Sequence, residues 1–580
     1  MTVKDIAIYF GVEPKVYLDW ITSFTAFQKG GKLHIKKNLK KRPTRLVKGT
    51  DVPVPNGDPT FLELSKLLDK SQQQAHLSLE GNVHMWALAA RTAATIGIIT
   101  PKNWKQARGS PQWLKWRGAM DEEYQALVAN KTWDLVPKPD KKNVISCTWV
   151  FKIKEKSDGT IERYKARLSA RGDTQKPSDY SLIFAPVIKF TTLRILLAIA
   201  CAKNWEIHQM DVGNAYLNAS VEEDIYMHQP QGYQKLGNDN QPLVCKLRKG
   251  LYGLKQAGRN WNSLIDKWLR GIGLSRCHSD FCLYHRKNEG NILIIGLYVD
   301  DLVIVANSLH SLQKFKSRIT AAFKMKDLGE IEWILGMHIT RNREHRTLKL
   351  CQEKYITDTL ATFHMEDAHP ANSPVATTSK LSKEFSPKTS DTSDPNYTDV
   401  TGYRAVVGKL MYAMVGTRPD IAFAVSQCSR FFSCPGKAHL KAAKHILRYL
   451  KGTANIGLTF GRSNTHEDTL TPYAYCDSDW AQCPDSRRST SGFVVILNGA
   501  AVSWLSKRQP TVALSSAEAE YVTACLAAQE VQYIRQVLGE IDLLTKHEPT
   551  TIFCDSNQRH IWQIILLRGE QNILTLKCTL

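Results

Sequence analysis

Two adjacent aspartates, Asp300 and Asp301, stand between the apolar, β-prone runs Ile292 to Tyr298 and Leu302 to Ala306. That pattern predicts two buried strands joined at an acidic turn. Like charges a few ångströms apart raise each other's pKa unless a cation offsets them, and Mg²⁺ takes carboxylate oxygens together with substrate phosphates. Tyr-x-Asp-Asp alone is weakly diagnostic, so a third carboxylate decides. Asp211 supplies it, 89 residues earlier (300 − 211), after the β-like run Glu206 to Met210 and before Val212-Gly-Asn-Ala-Tyr216, whose Gly and Asn suit a tight turn. Acids at two strand ends can converge on one metal pair, the arrangement that two-metal phosphoryl transfer requires.

A second set lies in the last third. Tyr473 to Cys476 reads as a short strand entering Asp477-Ser-Asp-Trp480, with further strands at Phe493 to Leu497 and Val502 to Leu505. A helix begins at Ser515-Ser-Ala-Glu518 with capping-box spacing, which commits Glu518 to a backbone N–H. Glu520, two residues on, cannot share that helix face and is left for chemistry. Thr551 to Cys554 forms a strand ending at Asp555, and Asp479 reads as a turn-forming residue.

The elements that must position these acids follow from periodicity. Strand-like stretches at Val144 to Lys154 and Ile292 to Ala306 alternate with helices near Thr191 to Lys203 and Trp261 to Gly271, giving an α+β or α/β multidomain chain. Ser, Thr, Pro, Lys and Asp dominate Ser373 to Thr401, a linker or long surface loop. Tyr403 to Tyr412 and His439 to Lys451 read as helices beyond it.

With 580 residues, 43% hydrophobic and 23% charged, the chain is long enough for several folded domains. Lys plus Arg number 77 against 55 Asp plus Glu, a net charge of +22 that favours polyanionic partners. The 13 cysteines, an odd number without zinc-site spacing, read as reduced thiols in an intracellular protein. Met1 to Phe10 lacks a signal-peptide pattern, and apolar runs such as Ile195 to Ala202 are too short to span a bilayer. Secretion and a membrane partner are both disfavoured.

The chain resembles the reverse transcriptases of copia-type LTR retrotransposons from about Trp104 onward. The resemblance rests on Thr132-Trp-Asp-Leu-Val136, Trp149-Val-Phe-Lys-Ile-Lys154, Arg163-Tyr-Lys-Ala-Arg167, Phe184-Ala-Pro-Val187, Gln209-Met-Asp-Val212, Leu251-Tyr-Gly-Leu-Lys-Gln-Ala257, Tyr298-Val-Asp-Asp301 and Asp327-Leu-Gly329, in that order. It implies a right-hand polymerase with fingers, palm and thumb, followed by an RNase H-like α/β domain. It also implies a catalytic palm triad of Asp211, Asp300 and Asp301, with Val212 completing the metal set, and Mg²⁺ (or Mn²⁺) as cofactor. The implied partners are an RNA template, a DNA primer, the RNA–DNA hybrid and deoxynucleoside triphosphates. In the RNase H part the match gives Asp477, Glu520 and Asp555 as metal ligands that activate water.

Further roles follow from the same resemblance. Tyr216 matches the ring that excludes a ribose 2′-OH, with a core tyrosine as the competing reading, and Gln256 matches a position near the nucleotide sugar. Lys154, Lys165 and Arg167 flank a hairpin around Ser157-Asp-Gly159, either neutralising the triphosphate or serving as solvated surface charge. The run Phe323-Lys-Met-Lys326 is a candidate proton donor to pyrophosphate. Lys441, Lys444, Arg448 and Lys451 form a helical basic stripe opposite Ala442, Ile446 and Leu450, a template-backbone track or an ordinary solvated face. Lys29 to Lys48, with nine basic residues and no acid, is a nucleic-acid arm, an import signal or a solvated linker.

Some positions depart from the family. Gly258 stands where Pro is usual, Gly250 where Ser is common, and Ile183 where Thr usually precedes Phe-Ala-Pro. Only 25 residues follow Asp555 (580 − 555), and they lack the family's His-bearing segment and fourth carboxylate, so truncation predicts an impaired RNase H. The expected organisation is a basic N-terminal region 1–100, reverse transcriptase 101–372, linker 373–401, helical connection 402–470 and RNase H-like domain 471–580. The expected function is RNA-directed DNA polymerase, in the cytoplasm (virus-like particles) or nucleus. A catalytically inactive remnant that only binds nucleic acid is the alternative.

Overall fold

The computed structural model describes residues 100–155, 160–238, 240–376, 380–389, 392–461, 470–544, 549–554 and the backbone of 574–578. The basic run Lys29 to Lys48, the turn Ser157-Asp-Gly159 and Asp555 lie outside the described residues.

The first unit opens with helix α1 (Trp113–Ala129), laid against the two-stranded hairpin β1 (Cys147–Glu155) and β2 (Ile161–Ala170). Trp116 is fully buried there, edge-on to Phe151 and Tyr164. Helix α2 (Phe190–Ala202) follows, then strand β3 (Glu206–Val212) and helix α3 (Ala257–Gly271). Strands β4 (Leu283–Asn288), β5 (Asn291–Tyr298) and β6 (Asp301–Ala306), helix α4 (Leu309–Ala322) and strand β7 (Met325–Glu330) complete a six-stranded sheet. Its order is β7-β3-β6-β5-β4, with Ser275–Arg276 at the far edge, and every pairing is antiparallel.

The acidic hairpin expected from the two apolar runs is present. In β5 and β6, Leu293 to Leu297 and Leu302 to Ala306 are all buried, as strands covered on both faces require. The main cover is α2, in which every residue except Thr191 is buried, the signature of a helix enclosed on all sides.

The Ser/Thr-rich stretch runs as irregular chain in its described residues, yet Ser382 is buried, donating its hydroxyl to Asp485 and accepting from the His439 ring through its carbonyl. Three helices follow, α5 (Val400–Gly416), α6 (Ala422–Ser429) and α7 (Lys437–Gly452). Asp399 caps α5 by accepting from the backbone N–H groups of Thr401 and Gly402.

The last unit is a five-stranded sheet with strands β8 (Tyr473–Ser478), β9 (Thr490–Leu497), β10 (Ala500–Arg508), β11 (Thr550–Cys554) and β12 (Leu574–Cys578) and helix α8 (Ser516–Glu540). The order is β10-β9-β8-β11-β12. The first three strands are antiparallel, while β11 and β12 run parallel to β8. The strand at 574–578 was not anticipated in the sequence. Among the described residues no helix is long and apolar enough to cross a membrane.

Candidate active site

Sheet register places the first three acids. Asp301, the first residue of β6, pairs with Asp211 near the end of β3, and Asp300 occupies the turn beside them. The main chain locks this corner, because Val212 N–H donates to the Asp300 carbonyl at 2.8 Å. Val299, which forms the turn with Asp300, has φ +56, a strained conformation for a β-branched residue. Its carbonyl accepts from the Trp261 indole N–H at 2.7 Å, and Trp261 is fully buried on α3. That bond pins the strained turn.

The electrostatics match the geometry. Burial first, then the Asp300 charge and further off Asp211, push the Asp301 carboxyl up to about 6, against a hydrogen bond of 3.0 Å donated by Gln209. Asp300 is raised by burial and by Asp211. The cations of the β1–β2 hairpin oppose this: Lys154 lowers Asp301, while Arg167 and Lys165 lower Asp300. Lys165 is itself held down at about 8 by burial and by Arg167, Lys154 and Arg163. The hairpin cations and the three aspartates therefore share one electrostatic site. Its donors are all carboxylate oxygens in mutual repulsion, which a hard divalent cation relieves. Among the described residues no group of three His, Cys, Asp or Glu side chains is placed to hold a metal ion, so the fit rests on the donor chemistry alone.

Tyr216 sits just beyond Asp211, after a turn in which Asn214 takes φ +55. It is half-buried, and burial and Asp300 raise its phenol. Gln256 is placed differently from a side chain open to a ligand: it is 1% exposed, donates to the Asp179 carbonyl at 2.9 Å and accepts from Gln175 at 3.1 Å. Lys326 is the register partner of Asp211 on β7, and the Lys324 carbonyl accepts from Gly213 N–H.

Sequence reasoning gave no role to Gln209, Trp261 or Tyr252. Gln209 was within reach of strand alternation, since it lies two residues before Asp211 and so on the same face. The other two are tertiary contacts with no local signal.

In the C-terminal unit Asp477 is exposed near the end of β8, and Glu520 is 7% exposed on α8. Glu520 accepts from the Ser478 N–H and hydroxyl at 3.0 and 3.1 Å and from the Cys554 thiol at 3.5 Å. Cys476, between them in space, has its thiol driven far up by its hydrogen bond with Cys554, by burial and by the Glu520 and Asp477 charges. Glu518 caps as expected, accepting from Leu514 N–H at 2.7 Å. Asp479 accepts from the N–H groups of Gln482 and Thr490, a turn role. Asp477 lines a cavity of about 790 Å³, with Asp420 and Phe423 from the helical connection and Tyr475 and Phe553 from the sheet.

On α7, Lys441 and Lys444 are exposed and Lys451 half-buried. Arg448 instead donates to the His369 carbonyl at 2.7 Å, which gives it a structural task.

Comparison with known proteins resolves the family. Residues 130–377 match the family model described as reverse transcriptase (RNA-dependent DNA polymerase). The retrovirus-related Pol polyprotein from transposon TNT 1-94 of Nicotiana tabacum is 42% identical over 458 residues, 79% of this chain and 34% of that protein. The putative transposon Ty5-1 protein of Saccharomyces cerevisiae is 33% identical over 56% of this chain and all of its own length. The chain belongs to the copia-type LTR-retrotransposon Pol family. It carries a retroviral-type reverse-transcriptase domain within a mixed α/β multidomain fold. It spans about a third of the tobacco polyprotein and 29% of the retrovirus-related Pol polyprotein from transposon RE1 of Arabidopsis thaliana, to which it is 41% identical. A solved foamy viral protease–reverse transcriptase in complex with double-stranded DNA aligns over 80% of this chain at 12% identity, with a TM-score of 0.38.

Proposed function

We propose that this chain is an RNA-directed DNA polymerase that extends a DNA primer on an RNA template by two-metal nucleotidyl transfer. The observation that carries the reading is the pairing of Asp211 with Asp301 across β3 and β6, with Asp300 in the turn beside them and the hairpin cations acting on Asp300 and Asp301. Family membership supports reverse-transcriptase activity. The β1–β2 hairpin serves as fingers and the six-stranded sheet as palm.

Asp211, Asp300 and Asp301, with the Val212 main chain, would hold Mg²⁺ or Mn²⁺. When bound, the metal pair lowers the pKa of the primer 3′-hydroxyl and steadies the departing pyrophosphate. Lys154, Lys165 and Arg167 neutralise the triphosphate of the incoming deoxynucleotide. The Tyr216 ring fills the space a 2′-hydroxyl would need. Lys441 and Lys444 contribute to holding the nucleic-acid backbone. In the C-terminal unit Asp477 and Glu520, with Asp555 as the resemblance assigns it, belong to an impaired RNase H directed at the RNA strand of the hybrid.

Primer extension on an RNA template with Mg²⁺ and deoxynucleotides tests this reading. Wild-type protein incorporates nucleotide, and Asp300→Asn and Asp211→Asn each lower incorporation by about 10³-fold or more, the scale of losing charge stabilisation at a reacting centre. Folded wild-type protein that binds hybrid without extending it would reduce the chain to a nucleic-acid-binding remnant.

A further inference from the structure

Tyr252 belongs to the segment Leu251-Tyr-Gly-Leu-Lys-Gln-Ala257, yet neither the sequence reading nor the proposed chemistry uses it. Its ring forms a T-shaped contact with Tyr216, centroids 4.7 Å apart and planes at 64°. On the same ring lies the Arg167 guanidinium, 4.3 Å from the centroid. One aromatic ring thus touches both the side chain assigned to the sugar and the cation assigned to the triphosphate.

The platform is itself anchored. The Tyr252 carbonyl accepts from Ala170 N–H at 2.7 Å and from the Ser169 hydroxyl at 3.3 Å, both at the end of β2. Gly253 follows with φ +89, and a Cβ there would lie 2.0 Å from the Ala170 carbonyl oxygen. Close approach of two backbones therefore fixes where the ring sits. The Tyr252 hydroxyl and Arg167 Nε are buried with no hydrogen-bond partner among the described residues. The Arg167 guanidinium thus rests on the ring, within electrostatic reach of the Glu123 and Asp300 carboxylates.

We propose that Tyr252 is a positioning residue of the nucleotide pocket, which sets sugar discrimination by fixing Tyr216 and triphosphate affinity by fixing Arg167. The ring does this work, so the hydroxyl is dispensable. The inference rests on the assignment of Tyr216 and Arg167 to the incoming nucleotide. A solvated Arg167 and a freely rotating Tyr216 would each lose the edge or face against which they now pack.

The test is single-nucleotide incorporation by the full chain, reading kcat and KM for a deoxynucleotide and the matching ribonucleotide. Tyr252→Leu lowers the ratio of deoxy- to ribonucleotide kcat/KM by about tenfold, the scale of one aromatic and one cation–π contact, with the deoxynucleotide loss mainly in KM. Tyr216→Val shifts the ratio in the same direction, and the double variant falls no further than the worse single variant. Tyr252→Phe restores the ratio to within about threefold of wild type, the scale of a few tenths to one kcal/mol. Should the leucine variant not fold, Tyr252→Met, whose flexible unbranched side chain fills irregular gaps, takes its place. A ratio unchanged in Tyr252→Leu while Tyr216→Val collapses it overturns the proposal, as do losses that add in the double variant. A wild type with no incorporation overturns the functional reading beneath it, and the two failures are told apart by that control.

Discussion

Arg194 lies within a run of apolar residues on α2 and is 3% exposed. Its guanidinium donates to the Val502 carbonyl on β10 at 2.6 Å and to the Val415 carbonyl on α5, and it lies 3.9 Å from the Trp504 ring centroid. Arg194→Met removes all three contacts while keeping an apolar stem. Two charge-assisted hydrogen bonds contribute about 1.5–3 kcal/mol each and a desolvated cation–π contact about 2 kcal/mol. Against this, methionine no longer bears the cost of burying a charge, several kcal/mol. The net expectation is roughly 3 kcal/mol of weaker docking between α2 and β10. Hydrogen exchange read by mass spectrometry on peptides covering Ala500–Arg508 measures it, because local opening sets the rate. Exchange there accelerates roughly a hundredfold, since each 1.4 kcal/mol is about a factor of ten. Unchanged protection in β10 would refute the claim that Arg194 joins the two units.

Gly253→Ala must overlap the Ala170 carbonyl, so the loop lifts from β2, at a cost of about 2–4 kcal/mol from the positive φ and the lost Tyr252–Ala170 hydrogen bond. A lower melting temperature with a raised deoxynucleotide KM confirms it, and a wild-type melting curve denies it. Lys165 carries its charge below about pH 8 and loses it as pH rises through that value. Deoxynucleotide kcat/KM, which reports the free enzyme, therefore falls above about pH 8, and Lys165→Arg flattens the profile. A wild-type profile that is level from pH 7 to 9 contradicts the assignment.

The parts of the site legible in the sequence were those fixed by local pattern. The acidic hairpin was readable because Ile292 to Tyr298 and Leu302 to Ala306 are apolar runs interrupted only by Val299-Asp300-Asp301. Glu518 and Glu520 separated on capping spacing alone, and the structure gives Glu518 the cap and buries Glu520. What stayed hidden is non-local. The resemblance places Gln256 near the nucleotide sugar, but Gln175 and Asp179, about 80 residues away, enclose its amide. Arg448 continues a basic stripe by spacing, while its bond to the His369 carbonyl depends on how the chain before α5 folds back. Strand β12, Leu574-Thr-Leu-Lys-Cys578, alternates apolar and polar over only five residues, and it takes its place by parallel pairing with β11.

Helix α2 explains why the two carboxylate clusters occupy one frame. A helix needs only one apolar stripe to pack on a sheet, and α2 is buried all round. One side covers β3 and β6, which carry Asp211 and Asp301, while Thr192 reaches the Tyr533 hydroxyl on α8 at 2.6 Å and the Asp280 carboxylate at 2.7 Å. Asp280 is buried and accepts further from Cys282 and Lys189 N–H groups, so the bond that ties α8 to α2 is backed by a carboxylate held from three sides. Glu540, near the far end of α8, accepts from the N–H groups of His278 and Ser279. Contacts at Tyr533 and Glu540 dock the last third of α8 against α2 and the His278–Ser279 segment, and Glu520 is carried on that same helix. The distance between the two clusters is then set by packed helices together with the Ser/Thr-rich segment, whose buried Ser382 donates to Asp485 of the C-terminal unit.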